Sequence, residues 1–131
     1  MKKQGILQAK LAETIAGMGH GDLLVIADAG FPVPAGVPCI DLAVECGLPP
    51  MLDVVHAVAG EFQVEEMTVA DELLARDDAL PDALRQLFPE ARVQHMPHDA
   101  LKRLSGQARA VVRTGECTPY YNVILAAGVV F

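Results

Sequence analysis

The run Leu23-Leu24-Val25-Ile26-Ala27 is apolar at every position and stops at Asp28. A strand with one wet face alternates polar and apolar residues, whereas an unbroken short apolar run reads as a strand buried on both faces. Segments 108–115 and 122–129, apolar at their centres, read as two more strands. Elsewhere lie segments with other periods. Leu7, Leu11, Ile15 and Met18 recur at helical spacing, and Gly17 and Gly19 end that helix. Residues 30–38 carry three prolines and form a loop, 39–44 read as a second strand, and 51–62 contain a short helix. A strand is expected over 61–70 and another over 91–96. Residues 77–88 and 98–106 are helical, the first with acidic residues in its opening turn, where the helix dipole favours them. Helices and strands alternate throughout. The expectation is an α/β fold: a single three-layer α/β/α domain over residues 1–131, with a mixed sheet of about six strands. Their order in the sheet is not legible from this pattern.

Composition narrows the partners. The net charge of −7, with no Lys/Arg cluster longer than two residues, argues against nucleic acid and anionic membrane surfaces. The nine apolar residues from Val123 to Phe131 fall far short of the roughly 20 that a membrane helix needs. Gln8 and Lys10 interrupt the N-terminal segment, so no secretory signal is read there. With 52% hydrophobic residues in 131, some apolar surface is expected to lie between subunits. The three cysteines, Cys39, Cys46 and Cys117, form no CxxC pair. Free thiols in a reducing, cytoplasmic setting are expected.

His20 stands between two glycines just ahead of the first apolar run, and Asp28 ends that run. Taken alone, this fits a His in a plain helix-to-strand loop as well as it fits a proton-transfer group. His95 and His98 flank Pro97, which disturbs metal-ligating geometry, and no third ligand accompanies them; no metal is expected. His56, in an apolar segment, reads as a core or interface residue. Tyr120, Tyr121 and Asn122 place hydroxyl and amide groups side by side, a set that can bind a polyol. Phosphate-binding glycine loops and a nucleophile elbow are absent from the sequence.

The blocks MGHGD (18–22), DAGFPVP (28–34), RTGECTPYYN (113–122) and ILAAGVVF (124–131), in that order, resemble the ribose pyranase and fucose mutarotase family across almost the whole chain. The resemblance implies a cofactor-independent isomerase acting on the ring forms of a free sugar, with His20 as proton donor. It implies substrate binding by Asp28, His98, Tyr120, Tyr121 and Asn122. His98 is followed by Asp99 where the family has a His-Glu pair, and Tyr121 stands where the family has a small residue. Gly30 and Pro119 favour the ribose branch, so D-ribose is the expected substrate. L-fucose or another sugar, or sugar binding without turnover, are the alternatives. The resemblance also implies a homo-oligomer, a decamer of two pentameric rings.

The residues suit that chemistry. Opening a hemiacetal needs one proton delivered to the ring oxygen and one removed from the anomeric hydroxyl, and imidazole is a natural donor near neutrality. The sequence reading has the first strand holding His20 and Asp28 near one sugar, with Tyr120–Asn122 of a neighbouring subunit completing the pocket.

Overall fold

The computed structural model describes residues 1–131. Six strands form one sheet: β1 (Leu23–Ala27), β2 (Cys39–Asp41), β3 (Val64–Ala70), β4 (Arg92–Met96), β5 (Ala110–Arg113) and β6 (Val123–Ala127), in the order β2-β5-β1-β6-β3-β4. β6 runs antiparallel to both its neighbours, β1 and β3, while the remaining pairs are parallel. The mixed sheet of six strands is as expected. Inserting β6 between β1 and β3 places the residue that precedes it, Asn122, beside the residue that follows β1, Asp28.

Side-chain alternation explains why β1 is apolar throughout. Leu24 and Ile26 enter a 22-residue core on one face; Val25 and Ala27 enter an eight-residue core on the other. The larger core is built with α1 (Ala9–Ala16), α2 (Met51–Ala59), α3 (Asp71–Leu74) and α4 (Leu80–Leu87), through Leu11, Val55, Leu73 and Leu84. The thinner layer rests on α5 (His98–Leu104), through Leu101. Each fully buried Leu or Val contributes roughly 1.5–3 kcal/mol of transfer free energy.

Two local readings change. The second strand stops at Asp41, because residues 44–48 fold into a turn in which the Val44 N–H donates to the Leu48 carbonyl at 2.9 Å. That turn seats against Gly115, where any Cβ would collide with the Leu48 carbonyl, so only glycine fits. The cysteine expectation also changes. Cys46 and Cys117 are joined in a disulfide, although 71 residues separate them. The 44–48 turn and the segment after β5 are neighbours in space only, which is why spacing gave no sign of the pair. Cys39 is free and exposed on edge strand β2, as expected.

Candidate active site

The C-terminal ends of β1, β3, β4 and β5 and the start of β6 all lie at one edge of the sheet, the usual place for a site in an α/β fold. Asp28 leaves β1 here. Its backbone N–H donates to Asn122 Oδ1 at 2.9 Å, and Asn122 Nδ2 donates to Asp28 Oδ2 at 2.9 Å. The other carboxylate oxygen accepts the Gly30 N–H at 3.0 Å. Asn122 is fully buried, so the amide holds the carboxylate from below and fixes its direction.

His98 follows β4 and Pro97. Its backbone N–H donates to Glu72 Oε2 at 2.9 Å, and its ring meets Tyr120 edge-on, with centroids 5.2 Å apart. Phe31 packs against the same imidazole at 6.2 Å. Nδ1 of His98 is buried and has no hydrogen-bond partner. A buried polar atom without a partner is costly and marks this as a strained spot in the fold. Tyr120 has φ of 65°, the one non-glycine residue in the left-handed region, while the Asn122 N–H closes back on its carbonyl at 2.8 Å. A conformation of that kind costs on the order of 1–3 kcal/mol and is retained where it aims a functional group.

Beside Asp28 lies a groove of about 280 Å³ lined by Ala29, Gly30, Glu116, Cys117, Thr118 and Pro119. Glu116 braces its wall. One carboxylate oxygen accepts the Thr118 N–H and hydroxyl at 3.1 and 2.7 Å; the other accepts the Met51 N–H at the start of α2 at 3.2 Å. Glu72 and Glu116 escaped the sequence reading, because neither sits in a pattern that distinguishes it from a solvated acid.

Tyr121 differs from its neighbours. Its hydroxyl donates to Asp78 Oδ1 at 2.6 Å, in the connection between α3 and α4. Burial, followed by the Asp78 bond and charge, pushes the Tyr121 phenol up to about 12. The same bond, with the Leu80 N–H, holds the Asp78 carboxyl below the usual carboxylate range. Arg76 donates to the Pro119 carbonyl at 3.3 Å. With its hydroxyl donated to Asp78, Tyr121 anchors the turn that carries Tyr120 and Asn122.

His20 lies elsewhere. It precedes β1, and its Nε2 is 2.8 Å from Glu65 Oε2 near the start of β3. The neighbouring Gly21 N–H donates to the Ala127 carbonyl at the end of β6. These atoms mark the opposite edge of the sheet. β1 alone spans roughly 17 Å at ~3.3 Å per residue. One chain therefore cannot bring His20 and Asp28 to the same sugar, and the expectation that β1 holds them together is corrected. Tyr120–Asn122 join Asp28 within their own chain, so the expected division of the pocket is corrected as well: His20 stands apart from all the others.

The remaining histidines separate too. His95 Nδ1 pairs with Asp71 at 2.6 Å on an exposed surface and does not converge with His98. His56 is exposed, not in the core, beside a hollow of about 430 Å³ between α2 and α4.

Residues 1–130 match the RbsD / FucU transport protein family. The chain is 52% identical to the D-ribose pyranase of Symbiobacterium thermophilum and 51% identical to that of Chloroflexus aggregans. Each alignment runs over 131 residues and covers the whole of both chains. The structure of Bacillus subtilis RbsD complexed with D-ribose superposes with a TM-score of 0.95 at 46% identity, covering all of both chains. The fucose mutarotase of Streptococcus pneumoniae in complex with L-fucose gives a TM-score of 0.81 at 23% identity, over 99% of this chain and 100% of that one, a likeness of fold alone.

Proposed function

The chain belongs to the RbsD / FucU family, and from that premise we propose that it interconverts the pyranose and furanose rings of D-ribose. The observation that carries this reading is the end-to-end likeness to RbsD bound to D-ribose, together with full-length relatives named for that activity. The polar cluster at the sheet edge gives the reading a physical basis.

In the proposed mechanism, Asp28, oriented by Asn122, accepts hydrogen bonds from sugar hydroxyls. The His98 imidazole takes a further hydroxyl, and Tyr120 supplies a face and a hydroxyl. A proton reaches the ring oxygen of the pyranose as the anomeric hydroxyl loses one, and the C1–O bond to the ring oxygen breaks. The open aldehyde then closes through a different hydroxyl to give the five-membered ring. No cofactor or metal takes part in this scheme.

His20 is the proposed proton donor, with Glu65 orienting its imidazole. Since His20 lies across the sheet from its own Asp28, it acts in the pocket of a second copy. Activity then requires an oligomer. A cyclic arrangement passes each His20 to the next subunit, in keeping with the proposed decamer of two pentameric rings in the cytoplasm, one domain per chain. The exposed Val129, Val130 and Phe131 give such an assembly apolar surface to cover.

The test is to dissolve crystalline ribopyranose with protein at one-thousandth of its concentration and follow the anomeric proton signals. Faster appearance of furanose supports the reading. An unchanged rate overturns it, and acceleration confined to L-fucose anomers would move the substrate to the fucose branch.

A further inference from the structure

The Cys46–Cys117 bridge lies at the wall of the groove beside Asp28. Cys117 lines that groove between Glu116 and Thr118. Cys46 belongs to the 44–48 turn, whose Gly47 N–H donates to the Gly115 carbonyl, while the Gly115 N–H donates to the Pro49 carbonyl at 2.9 Å. The two Cα atoms are 5.8 Å apart, within the range that a disulfide spans, and both residues are exposed to small reagents. Ring opening and closure involve no oxidation or reduction, so the proposed reaction makes no use of this pair.

We propose that Cys46 and Cys117 form a reversible thiol–disulfide modification site that sets the stiffness of the groove wall. Backbone bonds hold Gly115, and the Glu116 carboxylate holds Thr118. Beyond these, the Cys117–Pro119 tip is tied by the Tyr121 N–H, which donates to the Thr118 carbonyl at 3.4 Å, and by the exposed Arg76 contact at 3.3 Å. The disulfide is the covalent tie between this tip and the turn beneath it. Exposed disulfides are the labile, exchangeable kind, and a reducing compartment opens them.

The exchange partner is a low-molecular-weight disulfide of the glutathione class. One protein thiolate attacks it, forming a mixed disulfide and expelling one thiolate. The second cysteine then attacks the mixed disulfide, closing the Cys46–Cys117 bond and expelling the other. Two electrons and two protons leave the protein with the reagent, which departs as two thiols; excess thiol reverses both steps.

The consequence for sugar rests on the ribose reading, whereas the bond and its effect on the wall do not. A tip already ordered in the free protein loses less conformational freedom when sugar binds, so the bridged form has a KM for D-ribose lower by about two- to tenfold. The turnover number changes less, because neither cysteine handles a proton of the reaction.

The experiment uses the full chain with Cys39→Ser, which removes the third thiol. The protein is equilibrated in oxidised and in reduced glutathione, alkylated, and weighed intact. Amide hydrogen exchange at residues 116–119 and the KM for ring interconversion are measured for both forms. The expected result is no alkylated cysteine in the oxidised sample and two in the reduced one. The oxidised form also shows slower exchange at 116–119 and the lower KM. A Cys46→Ser/Cys117→Ser variant behaves as the reduced form in either buffer. Two alkylated cysteines in both buffers would overturn the proposal, as would a bridged form with the exchange rates of the reduced one. Bridged and reduced forms of equal KM would likewise overturn it. If neither form interconverts ribose, the ribose reading fails, and the mass and exchange measurements still decide the redox site.

Discussion

Replacing Asn122 by alanine removes the side chain that joins β1 to β6 at the proposed sugar site. Two bonds of 2.9 Å are lost, one from the Asp28 backbone N–H and one to the Asp28 carboxylate. An N–H left without a partner beside a fully buried position costs about 1–3 kcal/mol. The carboxylate loses less than a typical charged hydrogen bond, because it keeps the Gly30 N–H at 3.0 Å and is reached by solvent. The sum is a destabilisation of about 2–4 kcal/mol. With a urea dependence of about 2 kcal/mol per molar, the middle of the usual range, the unfolding midpoint falls by roughly 1–2 M. The assay is urea unfolding of wild type and Asn122→Ala at the same subunit concentration, since association contributes to apparent stability. Circular dichroism in buffer establishes that the variant is folded at the start. A loss below about 1 kcal/mol with unchanged urea dependence would refute the view that this amide pins the two strands together.

His20→Ala is expected to change stability by less than about 0.5 kcal/mol, since the side chain is 60% exposed, while ring interconversion falls by about 10²–10⁴-fold; thermal melts and sugar exchange check the two halves separately. Tyr121→Phe removes the anchor on Asp78 and is expected to cost about 1–2 kcal/mol near neutral pH, measured by melts across pH. The Asp78 carboxyl is depressed in the folded state, so its share is present above the ordinary carboxylate range and is lost as pH falls through the lower folded value. The Tyr121 phenol is raised, so its share is full below about 10 and is lost as pH climbs towards about 12. A difference between the two proteins that grows in acid would contradict this assignment.

The strands buried on both faces were the most legible part of the fold. β1 and β6 carry apolar residues in succession because each face meets its own core, and few other structures produce that pattern. α3 was not foreseen, since four residues are too few to show a helical period. The place of β6 in the sheet depends on the path of the 114–122 segment, and that path is set by contacts such as Gly115 on Leu48 that no local pattern encodes. In the site, the residue types pointed to sugar chemistry, and Asp28, His98, Tyr120 and Asn122 do gather. The position of His20 was open to a simple length estimate: eight residues along an extended strand carry a side chain to the far edge of the sheet. Tyr121 illustrates the opposite limit. A tyrosine between Tyr120 and Asn122 reads as one more sugar contact, and nothing in the local pattern reveals that Asp78, 43 residues away, holds its hydroxyl.

The central claim is that the acid comes from one copy and the sugar cradle from another. Mixing His20→Ala with Asp28→Asn tests it most directly. Each variant alone is expected to be inactive, and subunit exchange is verified by mass spectrometry of the mixed oligomers. With equal amounts and random assembly, about one quarter of the interfaces bring together an intact His20 and an intact Asp28. The account predicts recovery of ring interconversion towards that fraction of wild type. Mixed oligomers that remain inactive would contradict it.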